Sequence, residues 1–145
     1  MPIMTSGIEP KATKIMMFVM RMHDGERQFF VLDRKDGTFV VPTGHVGDNV
    51  LGESLKDAAI RELGEELCVK PEKVLDLNYS REVFLESQNK LSEEHGFLLE
   101  IPDVEVEYTE NDYNWRWCSI DELNSLLTYD GQRNAIEKIK DHIGA

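Results

Sequence analysis

Two apolar runs, Ile15 to Met20 and Gln28 to Leu32, flank the polar break His23-Asp24-Gly25-Glu26, and strand-length runs around such a break predict a β-hairpin. After Lys35-Asp36-Gly37, the run Thr38-Phe39-Val40-Val41 reads as a third strand. Pro42-Thr43-Gly44 breaks it and opens a loop through Gly47 and Gly52. That loop leads into a helix. Good helix formers run from Leu55 to Leu67, Ser54 stands as N-cap with Asp57 three residues on, and Ile60, Leu63 and Leu67 recur at helical spacing as a buried stripe. Pro71-Glu72-Lys73 ends the segment. Further strands are predicted at Glu82 to Leu85, Gly96 to Ile101 and Val104 to Tyr108, with an exposed polar stretch from Glu86 to Glu94. Trp115 to Cys118 predicts a last strand, Ser119 with Glu122 caps a short helix, and Gln132 to Ile143 reads as a terminal helix. With no internal repeat or low-complexity tract, this describes one mixed α/β or α+β domain over residues 1–145.

Composition narrows the partners more than the fold. Apolar residues make up 41% of the 145 residues and charged residues 30%, the balance of a chain that folds around a core. Against 28 Asp and Glu stand 16 Lys and Arg, and a net charge of −12 repels a nucleic-acid polymer or an anionic membrane. A small phosphate ester can still bind if divalent cations lie between it and the carboxylates. Cys68 and Cys118 are far apart in sequence and read as two buried free thiols. Met1 to Pro10 has no basic start followed by an apolar stretch, and no apolar run reaches membrane-spanning length, so the cytoplasm is the expected location.

The helix carries the chemistry. Glu62, Glu65 and Glu66 lie three and four residues apart, which puts three carboxylates on one helix face within a turn. Such a face is also what a solvated surface looks like. Each like-charge pair costs roughly 0.2–0.5 kcal/mol in an isolated helix, a cost that a bound cation reverses. Hard oxygen donors suit Mg²⁺ or Mn²⁺ better than zinc. Glu53 directly after Gly52, Arg61 beside the cluster and a glycine-bearing loop leading into the same place make the cation reading the sharper of the two.

The segment from Gly47 to Val69 resembles the Nudix box, G-x5-E-x7-R-E-U-x-E-E-x-G-U, where U is aliphatic. Glu53 matches its first glutamate and Arg61-Glu62-Leu63-Gly64-Glu65-Glu66 its central signature. Two positions depart: Cys68 replaces the box's last glycine, a helix stop, and Thr43-Gly44 stands where the family has two glycines ahead of a shorter loop. The resemblance implies an α/β/α sandwich with a mixed sheet between helices, and hydrolysis of a phosphoanhydride bond with Mg²⁺ or Mn²⁺. It further implies that Glu62, Glu65 and Glu66 hold the metal, Glu62 also serving catalysis, and that Glu53 and Arg61 form a bracing ion pair. Either Gly44 or Gly47 could present a carbonyl to the metal, and Gly44 is favoured.

The tail from Thr109 is similar to the dihydroneopterin triphosphate and dATP pyrophosphohydrolase branch of that family. Thr109-Glu110 precedes the aromatic cluster Tyr113-Asn114-Trp115-Arg116-Trp117, and Gln132-Arg133-Asn134-Ala135 follows later, although Asn111 replaces the branch's histidine. The branch implies Glu110 as the base that takes a proton from water, against the plain reading of an exposed loop glutamate. Thr43 would meet the substrate, Arg34 matches a basic position that the family places near substrate phosphate or is a plain surface arginine, and Tyr113 and Trp115 could stack on its flat ring or belong to the core. The expected substrate is a nucleoside or pterin triphosphate. Dinucleoside polyphosphates, nucleotide sugars or ADP-ribose are the alternatives, and a non-catalytic nucleotide sensor is the reading from another class. A monomer or homodimer is expected.

Overall fold

The computed structural model describes residues 9–47, 51–85 and 90–144. Its strands are β1 (Glu9–His23), β2 (Glu26–Asp33), β3 (Phe39–Val40), β4 (Thr43–His45), β5 (Lys73–Leu85), β6 (Lys90–Glu100) and β7 (Asn114–Cys118). The helices are α1 (Leu55–Leu67), α2 (Ile120–Leu126), α3 (Asp130–Arg133) and α4 (Ile136–Ile143). The strands form one sheet in the order β3-β2-β1-β6-β5, with β4 paired to β1 and β7 to β2. The β1–β6 pair is parallel and the others antiparallel, which is the expected mixed sheet.

Strand β1 is apolar without alternation because both its faces are covered. Ile15, Met17 and Val19 pack with Ala58, Ala59, Leu63 and Leu67 of α1. Met16, Phe18 and Met20 pack on the other face with Leu123, Ile136 and Ile139 of the C-terminal helices. The result is a helix–sheet–helix sandwich. One edge of β1 takes β6; along the other edge β4 pairs with Lys14 to Met16 and β2 with Met20 to His23. The sheet therefore forks beside β1. Pro42 lies at the fork, where it has no N–H to leave unpaired and its carbonyl accepts from Met17 N at 2.8 Å.

Helix α1 spans the predicted residues. Ser54 Oγ accepts from Asp57 N at 3.1 Å, a cap that contributes about 1 kcal/mol. Its buried stripe differs from the expected one: Ile60 is only half-buried, while Ala58, Ala59 and the charged Glu62 and Glu66 face inward with Leu63 and Leu67. At the other end Cys68 adopts the left-handed conformation, φ 57 and ψ 39, and its N–H bonds to Gly64 O. This residue does the work of the box's missing glycine. It is exposed, not buried as expected, whereas Cys118 is buried.

Four further expectations need correction. Strand β5 begins at Lys73 and not at Glu82, and Lys90 to Glu94 belong to β6 rather than to an exposed stretch, with Ser92 buried; residues 86–89 lie outside the described residues. Val104 to Tyr108 is no strand, because β1 and β5 already occupy both edges of β6. Its backbone bonds elsewhere: Glu107 N donates to Leu67 O and Val104 O accepts from Arg21. The terminal helix is two helices, α3 and α4, separated at Asn134-Ala135. Among the described residues no helix is long and apolar enough to cross a membrane.

Candidate active site

Arg61 organises the start of the site. Its Nε and one terminal nitrogen grip Glu53 in a fork, 2.7 Å to Oε2 and 2.9 Å to Oε1, and the same terminal nitrogen donates to His45 O at 2.9 Å. Glu53 also accepts from Gly47 N at 3.1 Å, so this pair ties loop, strand β4 and helix together. The Glu53 side chain is 3% exposed, and the guanidinium bonded to it holds its carboxyl below the usual carboxylate range. The other terminal nitrogen of Arg61 reaches Glu62 Oε1 at 3.0 Å and Glu65 Oε2 at 3.1 Å.

The glutamates share a face but not an environment. Glu62 and Glu66 are buried, whereas the Glu65 side chain is 45% exposed. Glu62 lies against Gly44, whose bare Cα leaves the room; a Cβ there would collide with Glu62 Cγ and Cδ and stand 2.6 Å from Oε2. Glu66 Oε2 is buried with no hydrogen-bond partner. Burial, reinforced by Glu62, Glu110 and Glu65, pushes the Glu66 carboxyl up to about 8. Thr43, Gly44, Glu62, Glu65, Glu66 and Glu110 line one cleft of about 320 Å³.

Among the described residues no three acidic, imidazole or thiol groups converge as a finished metal cage, because Arg61 draws Glu62 and Glu65 toward itself. The donor set nevertheless fits a hard divalent cation. Its oxygens are carboxylate and carbonyl, one is buried and orphaned, and Gly44 leaves space beside Glu62. A cation would compete with Arg61 for two of these carboxylates.

A second cavity adjoins the cleft through Thr43, Glu66 and Asn111, and holds Arg34 and Tyr113. Arg34 lies over the Tyr113 ring at 6.0 Å, with its Nε buried and unpartnered. Trp115 lines neither cavity. It stacks on Phe30 with centroids 5.4 Å apart, partly buried against the core on the α1 side. Glu62, Glu65, Glu66, Glu110, Gly44, Thr43, Arg34 and Tyr113 are thus brought together, and Glu53 with Arg61 sits behind them. Two lining residues carried no recognisable signal. Asn111 is visible in sequence only as a departure from a family pattern, and Tyr108 only as the end of an expected strand.

The chain matches the NUDIX domain over residues 13–139. No curated protein matches it. Among solved structures, a Listeria monocytogenes protein assigned to the NUDIX hydrolases superposes with a TM-score of 0.78 at 21% identity, covering 94% of this chain and 95% of that one. An Ap4A hydrolase of C. elegans in a binary complex gives 0.72 at 21% identity, over 92% of this chain and 98% of that one. The dihydroneopterin triphosphate pyrophosphohydrolase of E. coli gives 0.69 at 21%, over 92% and 96%. At such identities these structures speak for the fold; the domain match, with Arg61 and the glutamates of α1 assembled around one cleft, carries the family. The chain belongs to the Nudix family of phosphoanhydride hydrolases.

Proposed function

We propose that the protein hydrolyses a nucleoside or pterin triphosphate, releasing a monophosphate and pyrophosphate. The observation that carries this reading is Glu66. A buried carboxyl with an orphaned oxygen stands between an acidic cleft and a cavity that offers a cation and an aromatic ring. In this reading Glu62, Glu65 and Glu66, with the Gly44 carbonyl, hold Mg²⁺ or Mn²⁺. When bound, such an ion neutralises phosphate oxygens and acidifies water.

The remaining work falls to the chain's own groups. Arg61 and Glu53 hold the loop and helix in register, so that the carboxylates meet the substrate in fixed geometry. Glu110, exposed on the cleft rim, takes a proton from the attacking water. Arg34, which lines the second cavity beside Tyr113, offers its charge to a phosphate oxygen or ring substituent. The half-buried Tyr113 offers a surface to a flat ring, and Thr43 sits where the two cavities meet. The protein acts as a single domain in the cytoplasm on a small-molecule substrate.

Chromatography of all phosphorylated products, pyrophosphate included, with magnesium and with manganese across dihydroneopterin triphosphate, dATP, ADP-ribose and a dinucleoside tetraphosphate, tests the reading. Turnover of the first two, lost in Glu66→Gln, is expected. Turnover of ADP-ribose alone overturns the substrate class, and unchanged turnover in Glu66→Gln overturns the site.

A further inference from the structure

Behind the cavity that holds Tyr113, the cleft continues through the fork of the sheet. A third cavity of about 350 Å³ shares Arg34, Val40, Thr43 and Gln132 with the second and opens on the side of the C-terminal helices. Its charge is opposite to that of the cleft. In a chain whose net charge is −12, Lys14, Arg34 and Arg81 converge here, and Glu94 is the carboxylate among its described lining residues.

The strand register builds this cluster. Lys14 of β1 pairs with Glu94 of β6, and Glu94 pairs with Arg81 of β5, so the three side chains form a row on one face of the sheet. Glu94 is engaged by Arg81, whose Nε donates to its Oε1 at 3.0 Å. The Arg81 guanidinium lies against the backbone of Gly131, where any Cβ would collide with it, and Gly131 O is held by Tyr79 OH at 2.8 Å. Arg81 is thus held through Nε before any ligand arrives, which lowers the ordering cost of binding. Arg34 brings a further positive charge from the other wall. After Glu94 is set against one cation, two positive charges remain.

We propose that this basic cavity is a phosphoryl subsite, which holds a phosphate beyond the two joined by the scissile bond. The inference rests on the hydrolase reading above and sharpens it: the preferred substrates are triphosphates and longer chains, because a diphosphate linkage leaves the subsite empty. All three cavities share Thr43, so in this reading the ring on Tyr113 and the outer phosphate take separate branches from the acidic cleft, the phosphate held by side chains at the basic end.

Calorimetric titration of the full chain with inorganic pyrophosphate, in the presence of a chelator, isolates the basic end, since the bare acidic cleft repels the anion. Salt-sensitive binding is expected, weakened about tenfold in Lys14→Gln and in Arg81→Gln. Because Arg81 also packs against Gly131, Lys14→Gln is the decisive variant. In turnover, Lys14→Gln should raise KM for the triphosphate about tenfold with kcat within about twofold, and leave KM for a diphosphate-linked substrate unchanged. Absence of pyrophosphate binding without metal, or binding that both variants leave intact, overturns the subsite. A protein that binds pyrophosphate through Lys14 yet hydrolyses no phosphoanhydride would overturn the reaction and keep the subsite.

Discussion

Glu62 fills the space that a side chain on Gly44 would need, so strand β4 and helix α1 approach each other only because position 44 is bare. The backbone of Gly44 lies outside the positive-φ region, so alanine would be accepted there on conformational grounds. What Gly44→Ala cannot avoid is the collision with Glu62. The expected cost is about 1–3 kcal/mol of stability, as for other overpacked sites. Turnover should fall about a hundredfold as the displaced carboxylate loses its place. Thermal melts with steady-state rates check both figures, and a variant with wild-type turnover would show that Glu62 is not held for function.

Glu53 and Arg61 make a second prediction. Replacing one partner leaves the other charge buried, and Arg61→Gln is expected to cost about 3 kcal/mol, measured by urea unfolding. Arg61→Lys keeps the charge but not the fork, so most of the loss should remain. The linkage has a definite sign. The folded pKa of Glu53 lies below the unfolded value of 4.5, so its contribution is present above that value and fades as pH falls through the folded one. Wild type should therefore lose stability in acid faster than Arg61→Gln. Parallel acid curves would remove the pair from the account.

Glu66 predicts the opposite slope. Its carboxyl is raised from 4.5 to about 8, so its contribution to the metal-free fold is fully present below the unfolded value and lost as pH climbs through the folded one. Melting temperature in a chelator should decline across that window, and Glu66→Gln should flatten the decline. Magnesium should reverse it, because a cation favours the ionised form. An equal decline in wild type and variant would place the titration elsewhere.

Legibility in the sequence followed how local the determining interactions are. Helix α1 was readable to the residue because its N-cap, good helix formers and flanking loop are contiguous, and the clustering of Glu62, Glu65 and Glu66 was readable because i, i+3 and i+4 share a face in any α-helix. The Val104 to Tyr108 stretch has the alternation of a strand, yet a strand also needs a free neighbouring edge, and that depends on the topology of the whole sheet. Trp115 illustrates the same limit: its stacking on Phe30 follows from the pairing of β7 with β2, which nothing near Trp115 announces. Lys14 and Arg81 are 67 residues apart and meet only through the registers of β1, β6 and β5. Each alone reads as a surface cation.

Cys68 provides a test of local strain that is independent of catalysis. A non-glycine residue in the left-handed region costs about 1–2 kcal/mol, while glycine adds about 0.5–1 kcal/mol of chain entropy to the unfolded state. Since the Cys68 side chain is exposed, Cys68→Gly loses no core packing and keeps the N–H bond to Gly64 O. The balance predicts a gain of about 0.5–1 kcal/mol, or about 2 °C in melting temperature. Cys68→Val should go the other way, because a β-branched side chain at positive φ is strained further. The two variants differ by one exposed side chain, so opposite shifts in urea midpoint with unchanged m would tie the effect to the φ angle. Equal shifts would mean that the helix end relaxes and that the glycine of the box is not missed here at all.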